Sequence, residues 1–215
     1  GEVIGETNSD DIHRIQIRET IMSHLETERK LFKKGIKVLS LFFINKVANY
    51  KCYDETGEKK GVYAEIFEEE FKEAIDVYLN QRLKFEEDAE FRKYLEKFKA
   101  SEIHAGYFSI DKKGHAIDSN DKKEGGSDDV SAYDLIMKNK ERLLDFKEPV
   151  RFIFSHSALR EGWDNPNVFQ ICTLKQSSSD VRKRQEVGRG LRLCVNQDGE
   201  RMDTNVLGGD VHNVN

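Results

Sequence analysis

The residues best suited to chemistry lie near the end of the chain, in the segment RKRQEVGRGLRL. Gln185, Arg189 and Arg192 are spaced at i, i+4 and i+7, so they project from one face for as far as the segment stays helical. The arginine fork matches phosphate oxygens, and an arginine presented to a γ-phosphate from a neighbouring lobe raises hydrolysis by about 10³–10⁵-fold. Gly188 and Gly190 allow the backbone to approach a ligand closely. The pattern predicts a phosphate-facing arginine pair, although its spacing also fits a basic surface helix that ends at a glycine.

A second candidate segment is SHSALREGWDNPNV at 155–168. It places the carboxylates of Glu161 and Asp164 around Gly162 and the chain's single tryptophan, Trp163. The alternative is a turn in which Asp164 caps the next element and Trp163 packs into the core. Both candidate segments follow apolar runs, and in an open parallel sheet ligands bind at the carboxyl ends of the strands. We therefore expect both segments at one edge of a sheet.

The elements that position these segments are indicated by apolar spacing. Residues 10–34 read as an amphipathic helix with Ile17, Ile21, Leu25 and Phe32 on one face and Gly35 as its stop. The run IKVLSLFFI at 36–44 reads as a buried parallel strand. A polar loop is expected at 52–61. Two charged helices with solvated outer faces follow it, with apolar positions at Tyr63, Phe67, Phe71, Ile75 and Tyr78 and then at Phe91, Leu95 and Phe98.

The remaining chain alternates strands with loops and helices. Residues 111–130 read as a charged loop, 131–146 and 177–190 as helices, 157–162 as a helical turn, and 196–199 as a turn. Strands are expected at 103–110, 151–155, 168–174 and 191–195, with a hairpin partner at 200–207. Strands that alternate with helices predict an α/β fold with a parallel sheet.

Composition narrows the class of protein. The chain has 215 residues and a net charge of −5, which argues mildly against a dedicated nucleic-acid-coating protein but leaves local contacts open. Its cysteines, Cys52, Cys172 and Cys194, form no metal-ligand spacing and read as reduced thiols of a cytoplasmic protein. No stretch is long enough to span a membrane, and no signal-peptide pattern opens the chain. No metal site is predicted.

Together, the motifs resemble those of superfamily 2 helicases and translocases. Gly-x-Asp after a strand and then Gln-x-x-Gly-Arg-x-x-Arg resemble motifs V and VI, and IKVLSLFFINK at 36–46 resembles motif IV. Several segments resemble the restriction (Res) subunit of type III restriction–modification enzymes more closely still. These are ALREGWDNPNVFQICTL, KRQEVGRGLRL and NQDGER, together with QIRETI, GIKVLSLFFI and YDLIMKNKERLL. The resemblance covers nearly the whole chain. It implies the second, C-terminal RecA-like lobe over 1–215, with motif segments at 36–46, 155–168 and 182–193 and a helical and loop insertion at about 50–148.

The resemblance implies half of an ATP site. In such motors ATP and Mg²⁺ lie between two RecA-like lobes, and the first lobe supplies the P-loop and the acidic pair. This sequence contains no G-x-x-x-x-G-K-[ST]. By resemblance, Arg189 and Arg192 face the γ-phosphate, Gln185 helps to order the same site, and Gly162 and Asp164 couple ATP to lobe closure. The fragment alone is expected to be inactive.

The resemblance also implies contacts with double-stranded DNA. Ser157 and His156 stand where motif V often has a Thr or Ser pair, Asn45 ends the motif IV strand, and His104 stands near the expected strand path. For both histidines the alternative is a hydrogen-bonded structural role. The partners implied are the methyltransferase (Mod) subunit, the other RecA-like lobe and a downstream nuclease domain.

Two other functions stay open at this stage. One is the lobe of a different superfamily 2 DNA or RNA helicase, since motifs V and VI are shared. The other is a non-enzymatic binding module that kept a motor-like fold. The chain begins at Gly1 rather than at a methionine, from which we expect it to be part of a larger protein.

Overall fold

The computed structural model describes residues 9–81, 88–111, 115–118, 141–156, 165–174 and 194–202. Its helices are α1 (Ser9–Phe32), α2 (Val62–Gln81) and α3 (Ala89–Glu96). Its strands are β1 (Leu39–Phe43), β2 (Lys51–Asp54), β3 (Gly57–Lys60), β4 (His104–Tyr107), β5 (Ser109–Ile110), β6 (Ala116–Ile117), β7 (Phe152–Ser155) and β8 (Val168–Thr173). Short 3₁₀ turns lie at Val47–Asn49 and Arg142–Leu144.

Four strands form one parallel sheet in the order β4–β7–β1–β8. β1 and β7 are buried along their whole length, as expected for apolar strands covered on both faces. In the register, Phe43 and Tyr107 both lie opposite Ser155, so β1, β4 and β7 reach the carboxyl edge of the sheet together. The predicted α/β fold with a parallel sheet is confirmed, with strands slightly shorter than the apolar runs that indicated them.

The first predicted helix is confirmed as α1. Ile17, Ile21 and Leu25 are fully buried, because residues four apart lie on one face of a helix. Phe32, on the same predicted face, is only partly buried and packs at the edge of the core against the rings of Phe91 and Phe146. The four-residue spacing of aliphatic side chains was therefore sufficient to place this helix on the sheet.

Gly35 ends this helical segment, as predicted. Its φ is 69°, its N–H donates to the Phe32 carbonyl at 2.9 Å, and the Ile36 N–H reaches back to the Leu31 carbonyl at 3.2 Å. This pair of bonds satisfies carbonyls that the helix end leaves free, and glycine adopts the positive φ without strain. The chain then turns directly into β1.

Helices α2 and α3 confirm the two predicted charged helices. Tyr63, Phe67, Phe71 and Tyr78 of α2 are buried, and so is Leu95 of α3. The prediction that their charged faces are solvated was wrong at one residue, Glu70.

Glu70 is 1% exposed and joins α2 to α1 through two arginines. Its Oε1 accepts from Arg14 Nη1 at 2.7 Å and its Oε2 accepts from Arg18 Nε. Glu69 and Glu73 extend this contact with bonds of 2.9 and 2.6 Å to the same arginines. The ion pairs hold α2 against the polar side of α1, and the residue spacing within α2 could not reveal them because the partners are more than 50 residues away.

The sheet has an apolar core on each face. Phe42 and Phe154 point to the side covered by the helices, where their rings stack with centroids 4.6 Å apart. Leu41, Phe43 and Ile153 point to the opposite side and form a second cluster. The alternation follows from the two-residue period of side chains along a strand.

The predicted polar loop at 52–61 was wrong, because this segment contains most of an antiparallel hairpin of β2 and β3. Gly57 adopts a φ of 115° at the turn, and Asp54 Oδ1 accepts from the Thr56 N–H at 2.8 Å. Lys51 and Glu58 form an ion pair of 2.8 Å between the strands. The hairpin is stabilised by turn geometry and charge pairs rather than by an apolar face, so it gave no alternating pattern.

A second small hairpin, β5 with β6, lies inside regions predicted as one strand and one loop. The predicted strand at 103–110 is therefore divided between the main sheet and this hairpin. The predicted helix at 131–146 is described only from residue 141, where it is a single 3₁₀ turn. Of the predicted strand at 191–195 and its partner at 200–207, residues 191–193 and 203–207 lie outside the described residues. The described part contains an antiparallel bridge, Val195 with Arg201, around a turn at Gly199 with a φ of 79°.

A buried ion pair links α1 to the residue that precedes β7. Arg151 and Glu28 are both fully buried, and Arg151 Nη1 donates to Glu28 Oε2 at 2.7 Å. The guanidinium also lies 5.2 Å from the ring centroid of Tyr94 and 5.9 Å from that of Phe71. Burial raises the pKa of Glu28, but the attraction of Arg151 and His24 outweighs burial and lowers that pKa to about 2. Glu28 is therefore a carboxylate whose charge depends on Arg151.

Lys37 is a second buried cation at the amino edge of the sheet. Its Nζ donates to the Asp145 carbonyl at 3.0 Å and to the Glu148 carbonyl at 2.6 Å. Burial lowers the pKa of Lys37 to about 7, because the attraction of Glu28 offsets the loss of water only in part. The two bonds fasten the segment before β7 to the residue that leads into β1.

Candidate functional site

The carboxyl edge of the sheet brings together two of the predicted nucleic-acid residues, Asn45 and His156. The Ile44 N–H donates to the Ser155 carbonyl at 2.8 Å, which aligns the ends of β1 and β7. The residues that follow Ile44 and Ser155 are also in contact, since His156 Nε2 lies 3.1 Å from the Asn45 carbonyl oxygen. A carbonyl only accepts, so Nε2 carries the proton. The predicted meeting of 155–168 with 182–193 at one sheet edge stays a prediction, because 157–164 and 182–193 lie outside the described residues.

Asn45 itself is exposed and supports the turn that follows β1. Its Oδ1 accepts from Asn49 Nδ2 at 2.7 Å across the 3₁₀ turn. His156 is mostly covered, with 18% of its side chain exposed, and it also faces the Asp118 carboxylate at 3.6 Å. Asp118 was not singled out from the sequence, because it lies in a charged stretch that reads as a loop.

His104, the third predicted nucleic-acid residue, lies elsewhere. It begins β4, so it is three residues from the carboxyl edge, and its ring points towards α2. The Tyr50 hydroxyl lies 2.8 Å from Nδ1, and Glu68 Oε1 lies 3.2 Å from Nε2. Burial lowers the pKa of His104, and the attraction of Glu68 offsets this only in part. These contacts are those of a hydrogen-bonded structural histidine, and a DNA contact by His104 stays a prediction.

Gly106 allows this arrangement. A Cβ on Gly106 would lie 2.3 Å from the Phe108 ring and 2.5 Å from the Tyr50 ring, both far inside van der Waals contact. Tyr50 needs that space to reach His104 and to pack 4.7 Å from the Phe154 ring centroid. The glycine in HAGYFS is thus explained by close packing on the strand.

The other predicted site residues lie outside the described residues. These are Ser157, Gly162, Asp164, Gln185, Arg189 and Arg192. Their roles stay predictions.

Two asparagines inside the second candidate segment were not singled out from the sequence. Asn167 is fully buried, and its side chain accepts from the Val195 N–H at 2.8 Å and donates to the Val195 carbonyl at 2.9 Å. Its backbone carbonyl also accepts from the Leu39 N–H at 2.8 Å. Asn165 Oδ1 accepts from the Asn167 N–H at 3.0 Å and shapes the turn. Asn167 therefore fixes the backbone three residues after Arg192, and the Asn-Pro-Asn run was the available signal for a tight turn.

A serine, a histidine and a carboxylate also lie in a row inside the protein. His24 Nδ1 is 2.8 Å from Ser40 Oγ, and His24 Nε2 is 3.5 Å from Glu28 Oε2. All three side chains are fully buried, and the Ser40 hydroxyl donates to Gln170 Oε1 at 3.0 Å. His24 consequently donates to Ser40 instead of accepting its proton. The row is a structural network, not a nucleophilic site.

Two other kinds of feature are absent from the described ranges. No group of three or more His, Cys, Asp or Glu side chains there could hold a metal ion. No helix in those ranges is long and apolar enough to cross a membrane.

Comparison with known proteins adds to this geometry. No family model matches the chain. The chain is 42% identical over 186 residues to the Res subunit of the type III restriction–modification enzyme EcoP15I of Escherichia coli, and 41% identical over 186 residues to that of EcoPI of Escherichia phage P1. It is 37% identical over 208 residues to the Res subunit of StyLTI of Salmonella typhimurium. These matches cover 84%, 84% and 86% of this chain but only 17%, 17% and 20% of the relatives.

The class of fold is thus an α/β parallel sheet flanked by helices, consistent with a RecA-like lobe of a helicase. Within that class, the chain is homologous to a segment of the Res subunits of type III restriction–modification enzymes. It spans about a fifth or less of the length of the curated relatives that it matches.

Proposed function

We propose that this chain forms the second RecA-like lobe of a DNA-dependent ATPase within a type III Res subunit. The observation that carries the proposal is the identity of 37% to 42% with three Res subunits over more than four-fifths of the chain. The parallel sheet, with Asn45 and His156 together at its carboxyl edge, supports the same reading. That edge is where open α/β sheets bind ligands.

In this proposal the chain supplies the arginine side of an ATP site. Arg189 and Arg192 neutralise the charge that develops on the γ-phosphate, and Gln185 orders the same site. Gly162 and Asp164 couple nucleotide binding to closure against the other RecA-like lobe. Hydrolysis of the γ-phosphate of ATP supplies free energy to the motor. In this proposal the other lobe binds Mg²⁺ and makes most of the contacts to the phosphates.

The same edge carries part of a path for double-stranded DNA. Asn45, His156 and Ser157 offer hydrogen-bonding groups to the phosphate backbone, and such contacts position DNA without reading its sequence. Cleavage is assigned to a downstream nuclease domain, the methyltransferase (Mod) subunit is the proposed partner, and the proposed location is the cytoplasm. The names of the relatives favour this reading over another superfamily 2 helicase or a non-enzymatic module.

We expect the isolated chain to hydrolyse no ATP above background, because it lacks a P-loop and contributes only one side of the site. The intact protein, by contrast, should hydrolyse ATP and do so faster with double-stranded DNA. Steady-state phosphate release, measured for both proteins with and without DNA, checks this expectation. Robust turnover by the isolated chain would show that the site is misassigned.

A further inference from the structure

Asp118 joins the two strand ends that meet at the carboxyl edge. It directly follows β6, in the segment between α3 and β7, and its carboxylate reaches back to the loop after β1. The Val47 N–H donates to Asp118 Oδ1 at 2.6 Å, and the same oxygen lies 3.6 Å from His156 Nε2. One carboxylate oxygen thus faces groups that follow β1 and β7.

The Val47 amide needs this acceptor. It opens the 3₁₀ turn Val47–Asn49, where the first N–H groups have no partner within the turn, and the Val47 side chain is 2% exposed. A hydrogen bond to a carboxylate is stronger than one between neutral groups. The Asn45 carbonyl and the Asp118 carboxylate, both acceptors, face His156 Nε2, so both contacts pull the histidine towards the same loop.

Asp118 is itself held in place by two hairpins. The Asp111 N–H donates to the His115 carbonyl at 2.8 Å and closes the β5–β6 hairpin. The Ala116 N–H donates to the Tyr53 hydroxyl at 3.0 Å, and the Tyr53 ring stacks on His115 with centroids 4.3 Å apart. Since Tyr53 belongs to β2, the β2–β3 hairpin contacts β6, the strand that leads into Asp118. Contacts therefore continue from the two hairpins to the sheet edge.

We propose that Asp118 is a positioning residue for the DNA-contacting edge. It fixes the loop of Asn45 and Val47 and holds His156 beside it. The role of the two hairpins is then to hold this edge. The proposal rests on the proposed function for its DNA readout, but its structural part can be measured separately.

The DNA readout uses the intact protein and two substitutions at one position. Asp118→Ala should raise the DNA concentration for half-maximal ATP hydrolysis by about tenfold, with little change in turnover at saturating DNA. Asp118→Asn should stay close to wild type, because its amide oxygen still accepts from the Val47 N–H. Asp76→Ala is the matched control, since the Asp76 carboxylate is exposed on α2, where it accepts from Asn80 Nδ2 of the same helix at 2.9 Å.

The opposite result has a clear meaning. Asp118 carries a negative charge close to the proposed phosphate path, so a carboxylate that only repels DNA predicts tighter DNA binding in both variants. Tighter binding by Asp118→Ala and Asp118→Asn alike would overturn the positioning role.

The structural readout is amide hydrogen exchange at Val47. Asp118→Ala should accelerate it about tenfold or more, and Asp118→Asn should largely preserve the protection. Unchanged hydrogen exchange at Val47 in Asp118→Ala would refute the positioning role of Asp118, even if DNA binding changed. If the wild-type protein shows no DNA-dependent hydrolysis, the proposed function fails, while the exchange result still decides whether Asp118 holds the loop.

Discussion

Replacement of Arg192 by alanine in the intact protein is expected to lower ATP turnover by about 10³–10⁵-fold, the range measured where an arginine stabilises the transferring phosphoryl group. The reason is electrostatic. The γ-phosphate gains charge at its oxygens in the transition state, and a fixed guanidinium in a site that excludes water offsets that charge without reorganisation. Single-turnover phosphate release, followed together with the melting temperature, measures the loss and shows whether the variant is folded.

Lys183→Ala provides the control for this experiment. Lys183 and Arg192 are nine residues apart, about two and a half helical turns, so they project from opposite sides if the predicted helix continues. The control removes the same charge from the same segment. Near-normal turnover in Arg192→Ala would refute its assignment to the γ-phosphate, and an equal loss in Lys183→Ala would point to general charge instead.

The largest effect on stability is expected at the buried ion pair. Arg151→Met should reduce the free energy of unfolding by about 3–5 kcal/mol, because it leaves the Glu28 carboxylate buried without its partner. The double variant Arg151→Met with Glu28→Leu should recover most of this loss, since apolar side chains of similar volume often replace a buried pair at little cost. Urea unfolding of the three proteins measures both values.

The control for the pair is Arg142→Met. Arg142 pairs with Glu148 at 2.6 Å but is 69% exposed, so its loss should cost less than about 1 kcal/mol. A cost for Arg151→Met as small as that of Arg142→Met would contradict the account of the pair, as would a double variant no more stable than Arg151→Met.

Acid provides a second check on the same pair. The pKa of Glu28 is lowered from 4.5 to about 2 in the folded chain, so its stabilising contribution is complete above 4.5 and is lost as pH falls through this window. In Arg151→Met the Glu28 carboxylate loses the cation that lowers its pKa. Protonation of Glu28 then removes the cost of an unpaired buried charge in the variant. The stability difference between wild type and Arg151→Met should therefore shrink as the pH falls.

Regular apolar spacing accounts for the parts of the fold that the sequence predicted. The α1 face of Ile17, Ile21 and Leu25 and the continuous apolar runs of β1 and β7 depend on local periodicity, which is visible in a single sequence. Gly35 was recognisable for the same local reason, because a helix end needs a residue that tolerates positive φ.

Features that depend on distant partners were not predictable in this way. Glu70 reads as one more charged residue on α2, and only the packing of α1 reveals that it is buried. The β2–β3 hairpin has no apolar face, so its turn and ion pairs leave no two-residue pattern. Asn167 binds Val195, 28 residues away, and neither residue suggests the other.

The candidate site shows the same division. The sequence predicted a parallel sheet, but it did not single out the contact between Asn45 and His156, which the structure shows where two of the strands end. It could not choose between the two roles considered for His104, since the choice depends on Tyr50 and Glu68, which lie 54 and 36 residues away. Asp118 could not be recognised from the sequence, because its contacts depend on the fold of two polar hairpins.

The central claim is that this chain faces the γ-phosphate of an ATP held by the intact protein. Photocrosslinking with an ATP analogue that carries its reactive group on the γ-phosphate tests it most directly, followed by peptide mapping of the labelled protein. We predict label on the peptide that contains Arg189 and Arg192, and its loss when unmodified ATP competes. Label confined to peptides outside this chain, with the same competition by ATP, would contradict the claim.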